Sequence, residues 1–299
     1  MAHISVLCKE IVEFLDARPG QVFLDGTVGN GGHASVFAPL LGKHGIYIGL
    51  DRDSASIKRA QEVLVKTPLK KLLLHKEDFR HLDRVLHEES IESVDRILFD
   101  LGFNSDQLEL SGRGFSFLKD EPLLMTYEND PNVSDLTAWE IVNRWSEKDI
   151  ADVLFTFGEE RFARRIARAV VTQREEKPIG KTLELVSVIE SAVPISYRVR
   201  KIHCATKTFQ ALRIAVNDEL NALSEGLSKG FKALSQGGRM AVISFHSLED
   251  RIVKNFFRDR GKEKKGSVIT KKPVVAEKKE REINPRSRSA KLRVFLKTI

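Results

Sequence analysis

The stretch Phe23–His33, FLDGTVGNGGH, sets an acid at the end of an apolar run and follows it with Gly26, Gly29, Gly31 and Gly32. Glycines gather in this way where a backbone must approach a ligand closely. Three further acidic positions follow comparable runs: Asp51 after IYIGL, Glu77-Asp78 after LLLH with Phe79 beside them, and Asp100 after RILF. A carboxylate placed like Asp51 suits ribose hydroxyls, and an acceptor beside Phe79 suits an adenine. The glycine spacing differs from G-x-G-x-x-G, which argues against a dinucleotide, and no Gly-Lys-Ser/Thr occurs in this loop, which excludes a P-loop there. Acids at four successive tips suit a ligand with a ribose, an ammonium and a sulfonium rather than a pyrophosphate. S-adenosylmethionine has all three. The competing reading is that each acid caps the helix after it. For one acid alone that is the better account; for four together the ligand is.

Positioning such residues requires strands that alternate with helices. Val22–Asp25, Ile46–Asp51, Leu72–His75 and Arg96–Asp100 read as strands. SASIKRAQEVLV carries helical spacing behind Ser54, a good N-cap. The alternation predicts a parallel sheet covered on both faces, with ligands bound beyond the carboxyl ends of its strands. From about Arg113 to His203 the pattern is helical without strand signals, an insertion of domain size. A long helical pattern then runs from Thr208 into Leu234, followed by RMAVISFHS as a buried strand and LEDRIVKNFF as a helix. SVIT and LRVFLKT fit a final pair of strands.

Composition narrows the setting. The chain has 299 residues, 41% hydrophobic and 30% charged, an ordinary globular balance. No apolar stretch is long enough to span a bilayer. The first residues lack the features of a signal peptide, and Cys8 and Cys204 are too few for a disulfide framework or a cysteine metal site. A reducing, cytoplasmic setting is expected. From Arg251 onward there are 17 basic and 5 acidic residues, whereas the first 250 residues carry 32 basic and 37 acidic. A basic tail on a mildly acidic body points to a polyanionic partner. Glu277, Glu280 and Glu282, interleaved with lysines, leave a solubilising tail as the alternative.

DGTVGNGGH, GLDRD, FDLGFNSDQL, RGFSF, GEERFARRIARAVV, ATKTFQALRIAVNDEL, ISFHSLEDRIVK and NPRSRSAKLR follow one another between Asp25 and Arg293, within a likeness that runs from His3 to Arg293. In this the chain resembles the RsmH (MraW) family of bacterial methyltransferases, which act on the exocyclic N(4) amine of a cytidine in the decoding region of 16S rRNA. The resemblance implies an α/β, class I S-adenosylmethionine-dependent methyltransferase (Rossmann-like) sheet with an inserted helical domain. Residues 1–112 and 204–299 would form the core with its basic tail, and 113–203 the substrate-recognising insertion. It also implies cofactor contacts at Gly31, Gly32, His33, Asp51, Phe79, Asp100 and Gln107, of which Asp51, Phe79 and Asp100 are reached from the residues alone. The implied partner is 16S rRNA within the small ribosomal subunit or its precursor.

Cytosine's exocyclic amine is a poor nucleophile because its lone pair is delocalised into the ring. An enzyme helps by aligning that nitrogen with the sulfonium methyl and by accepting its N–H groups as positive charge develops. Such chemistry needs no metal, and no ligand cluster stands out in the sequence. The acceptors belong just past the fourth strand, where Asn104 and Asp106 are candidates, and the base must be reached outside any stack. Phe103 is a stacking candidate; Phe115 and Phe117 fit packing better. Arg113, Arg286, Arg288 and Lys291 are candidates for phosphate contacts. His246, beside Glu249 and Asp250, invites a catalytic role, but Ser247 as a helix N-cap is the better account.

The family usually reads DLGVSSPQ where this chain has DLGFNSDQ, and GPLDMRM where it has EPLLMTY. Leu124 thus stands where an Asp is expected and Thr126 where an Arg is expected, so neither charge is left unpaired. Ser5 and Cys204 each replace a proline. These changes surround the expected cytosine site and leave the cofactor positions intact. They support one alternative: an RNA- or ribosome-binding protein that keeps the cofactor pocket with weak or altered activity. A nicotinamide-dependent dehydrogenase is opposed by the glycine spacing, and a small-molecule methyltransferase leaves the basic tail unexplained.

Overall fold

The computed structural model describes residues 5–102, 111–128 and 135–299. It divides into two compact units, Met1–Gly102 with Leu220–Ile299, and Phe103–Glu219. The second unit is wider than the 113–203 expected, because the helix Thr206–Asn217 packs with it.

In the first unit β1 (Val22–Asp25), β2 (Ile46–Asp51), β3 (Lys71–Lys76) and β4 (Val94–Asp100) alternate with α1 (Cys8–Leu15), α2 (Ala34–Leu41), α3 (Ser54–Leu64) and α4 (Leu82–Glu88). The sheet has seven strands in the order β3-β2-β1-β4-β5-β7-β6, where β5 is Leu234–Ser244, β6 Gly266–Val268 and β7 Lys291–Lys297. Strands β1 to β5 pair in parallel, while β7 runs antiparallel to both β5 and β6. This is the Rossmann-like sheet expected from the resemblance. The charge-rich stretch 262–282 contributes the edge strand β6 and a short helix, Lys278–Ile283.

Alternation along the strands builds a core on each face of the sheet. Phe23, Tyr47, Leu98, Ala241, Ile243 and Val294 lie in one cluster; their neighbours Leu24, Ile48, Ile97, Phe99, Val242 and Phe295 lie in the other. Both faces are apolar, so the parallel strands read as continuous hydrophobic runs.

Three local expectations change. The N-cap of α3 is Asp53, whose carboxylate accepts from the Ala55 N–H at 2.9 Å, and Ser54 is the first helical residue. The long helical pattern from Thr208 breaks at Asp218, which takes a left-handed φ of 51° between Thr206–Asn217 and Glu219–Ala233. The helix after β5, Ser247–Lys262, is capped by His246 rather than Ser247. Its Nδ1 accepts from the Glu249 N–H, and the Glu249 carboxylate accepts from the His246 and Phe245 N–H groups. His246 is thereby accounted for as a cap.

In the second unit, Ala138–Arg144, Glu147–Gly158, Ala163–Glu176, Thr182–Ala192, Ile195–Arg198 and Thr206–Asn217 are helices. Ile141, Leu154, Ile166, Ile189 and Leu212 belong to their own core. Among the described residues this unit carries no strand of the sheet.

Candidate active site

Register decides which acids meet. Asp25, the last residue of β1, lies beside Gly49 on β2 and Leu98 on β4. Asp51 and Asp100 therefore end their strands two residues farther on, one on each side of the loop that leaves β1. The loop continues both ladders: the Gly26 N–H donates to the Leu98 carbonyl and the Val28 N–H to the Leu50 carbonyl, each at 2.9 Å. Then the flanking acids take hold of it. The Gly29 N–H donates to Asp51 Oδ2 at 3.0 Å, and the Asp100 N–H donates to Thr27 Oγ1 at 2.6 Å. Gly31 has φ +85°, and a Cβ there would stand 3.2 Å from Ala60 Cα, so a side chain would push the loop off α3.

The four acidic tips do different work. Asp25 is 1% exposed and accepts from the Tyr47 hydroxyl at 2.8 Å and the Thr27 N–H at 3.0 Å. Burial pushes its pKa up to about 6 against those two donors and the nearby His33 charge. It shapes the loop from beneath. Asp78 caps the turn Phe79–His81 through the Arg80 N–H and pairs with Arg52 and Arg80, so the capping account holds there. Asp51 is partly exposed and accepts from Gly29 and Asp53 N–H groups. Burial, helped by the Asp53 and Asp25 carboxylates, pushes its pKa up to about 7 despite those two bonds. Asp100 Oδ1 is buried with no hydrogen-bond partner among the described residues.

His33 faces Asp100. It starts α2 in helical conformation, as a residue after a glycine loop should, yet its ring is 6% exposed with Nε2 3.3 Å from Asp100 Oδ2. The contact is an ion pair without hydrogen-bond alignment. Burial alone would lower the imidazole's pKa; Asp100, with Cys8 and Asp25 nearby, outweighs it and raises the pKa to about 10. A raised pKa contributes stability that is complete below the ordinary value near 6.5 and is lost as pH rises through about 10. The melting temperature is therefore expected to fall from pH 7 to 10.5, and His33→Gln to flatten that fall. An unchanged slope in the variant would remove His33 as the cause.

Phe79 is half-buried, with its ring 5.0 Å from that of Phe99. One face is thus used in packing. Gly32 lies in the loop, where its carbonyl accepts from the Ser35 hydroxyl. Gln107, Phe103, Asn104 and Asp106 lie outside the described residues.

Of the basic candidates, Arg288 is exposed, and Arg286 is partly exposed on the same turn, Pro285–Ser289. Lys291 stands 3.5 Å from Asp250, which also holds the buried Arg293 at 2.6 Å. Arg113 is 6% exposed and donates to the Tyr127 carbonyl at 2.7 Å. That geometry speaks against a solvent-facing phosphate contact and for a loop-fastening role.

The sequence model of the MraW methylase family matches residues 1–298. The chain belongs to the MraW methylase family. It is 44% identical to "Ribosomal RNA small subunit methyltransferase H" of Geotalea daltonii, over 99% of this chain and 98% of the relative. It is 46% identical to the protein of the same name from Synechococcus elongatus, over 98% and 93%.

Family membership directs attention to a network in the second unit that residue types alone did not single out. Arg213 and Glu219, from TFQALRIAVNDEL, form a two-bond ion pair at 2.8 Å, and Glu219 also accepts from the Tyr127 hydroxyl at 2.9 Å. Asn217 donates to the Met125 carbonyl and accepts from the Tyr127 N–H. This motif therefore fastens the segment that begins at RGFSF. Gly114 in that segment has φ +77°, and a Cβ would stand 2.2 Å from the Pro122 carbonyl oxygen. Phe115 is buried against Tyr127, and Phe117 stacks on His203 at 4.9 Å, as packing residues should. Leu124 and Thr126, where the family carries charges, sit in the same segment; Thr126 is 4% exposed and accepts from the Glu128 N–H. No ion pair is needed there.

Proposed function

We propose that this chain transfers a methyl group from S-adenosylmethionine to the exocyclic N(4) amine of a cytidine in the decoding region of 16S rRNA, in the bacterial cytoplasm. Membership of the MraW methylase family across nearly the whole chain carries this reading. The acids at the strand ends support it.

The donor set fits the cofactor. Asp51 offers a partly exposed carboxylate to ribose hydroxyls. Asp100 keeps Oδ1 for an ammonium N–H while the His33 imidazolium balances its other edge. Gly31 lets the loop sit close against α3, Gly32 leaves its backbone partly exposed, and the half-buried Phe79 lies just past the third strand. When bound, S-adenosylmethionine supplies an electrophilic methyl on a sulfonium. The protein's part is to hold the cytosine nitrogen in line and accept its N–H groups. Transfer leaves that nitrogen with one proton too many, and an acceptor or water must remove it. We assign the 113–203 segment, extended to the helix Thr206–Asn217, to substrate recognition.

The test is to incubate the protein with radiolabelled S-adenosylmethionine and small subunits from a strain lacking this methylation, then map the label by nucleoside mass spectrometry. N(4)-methylcytidine at one decoding-region position is expected. Cofactor binding without transfer, when a related active enzyme labels the same subunits, would overturn the proposal.

A further inference from the structure

We infer that the helical unit carries a second RNA-binding face, built from Arg161, Arg165 and Arg200 around the Phe162–Tyr197 ring pair, which takes the phosphodiester backbone of the rRNA. This deepens the proposed function and rests on it.

The face begins with a buried acid. Glu160 is 0% exposed; its carboxylate accepts from the Phe162 N–H at 2.9 Å and the Tyr197 hydroxyl at 2.7 Å. Those bonds fix the two rings edge to face, 4.9 Å apart at 73°. The Arg161 guanidinium then sits 4.6 Å from the Phe162 ring centre and 4.8 Å from that of Tyr197. Arg165 lies 5.7 Å from Phe162, and Arg200 5.0 Å from Tyr197. All three arginines are exposed. None forms an ion pair with a carboxylate among the described residues.

Other basic residues of this unit, Arg144, Lys148, Lys177 and Lys181, each pair with an acid. Three exposed guanidiniums around one ring pair offer a positively charged face to an anion. Cation–π contact limits the freedom of each side chain before any partner arrives, and arginine's planar fork matches a phosphate with two bonds.

The chemistry continues along one side of the helix Ala163–Glu176. Arg165, Arg168 and Thr172 recur at helical spacing and, with Gln173, Glu176 and Ser191, line a groove of about 400 Å³. Cations followed by hydroxyl and amide groups suit phosphates and sugar hydroxyls in succession. An acidic peptide would satisfy the arginines too, and binding to protein-free rRNA separates the two.

The test uses the full chain with Arg161→Gln, Arg165→Gln and Arg200→Gln combined. Binding is measured to unmethylated 16S rRNA and to intact small subunits across a salt series, with S-adenosylmethionine affinity and melting temperature as controls. Expected are at least tenfold weaker rRNA binding and a salt slope shallower by about 2, from roughly 0.7 per lost contact on single strands. KM for subunits should rise with kcat little changed, and the triple lysine variant should recover the slope with only part of the affinity. Parental affinity and slope in the glutamine variant would overturn the inference. So would loss of binding to intact subunits alone, which would identify an acidic ribosomal protein as the partner. Failure of the parent itself to bind rRNA would instead overturn the proposed function, and this inference with it.

Discussion

Alanine at Asp51 is expected to weaken S-adenosylmethionine binding about 100-fold, or about 2.7 kcal/mol, the scale of one or two hydrogen bonds to a charged acceptor. Two losses add up. Ribose hydroxyls would lose their acceptor, and the Gly29 and Asp53 N–H groups would lose the carboxylate that holds the loop. The pH dependence gives a second signature. Burial first, with neighbouring carboxylates, places the Asp51 pKa at about 7 in the free protein. Hydroxyl donors favour the ionised form, so binding should release a proton and affinity should rise from pH 6 to 8. In Asp51→Ala that rise should disappear. Calorimetry in buffers of different ionisation enthalpy measures both; tight, pH-dependent binding by the variant would exclude Asp51 from the ribose site.

The Glu219→Ala variant should lose about 3–5 kcal/mol of stability in the helical unit, the usual cost of leaving one member of a buried pair alone. The side chains of Arg213 and Glu219 are 13% and 11% exposed, so solvent cannot replace the missing carboxylate fully. The Tyr127 hydroxyl loses its acceptor as well. A combined Arg213→Met and Glu219→Leu change removes the stranded charge and should recover part of that loss in thermal melting. It should not fully recover methylation, because the Tyr127 hydroxyl still lacks its acceptor. Equal melting temperatures for parent and Glu219→Ala would mean that the pair contributes nothing.

Much of this was legible one residue at a time. Apolar runs ending in acids located β1, β2 and β4, because a strand buried on both faces leaves no alternation to confuse and needs a polar stop. The glycine loop followed from spacing, and the helical insertion from a long stretch of 3.6-residue periodicity without strand signals. Helix ends were less legible. Asp53 and His246 displaced the adjacent serines as caps, since either of two neighbouring polar residues satisfies the same N–H groups and only the backbone angles choose between them.

By itself, then, the sequence determined the alternation of strands and helices, the acids and glycines of the pocket, and through its ordered motifs the family. Those depend on residue type and local order. The tertiary structure decided which of the acids have a free edge. Asp25, Asp51, Asp78 and Asp100 are equivalent in the chain, but strand register buries Asp25 under Tyr47 and spends Asp78 on a turn. It also sets His33 against Asp100 across 67 residues. Arg113 became a buried fastener and Arg161, Arg165 and Arg200 an exposed cluster, although nothing in residue type separates the four. Burial and partners are sums over distant chain segments, and spacing along the sequence does not carry them.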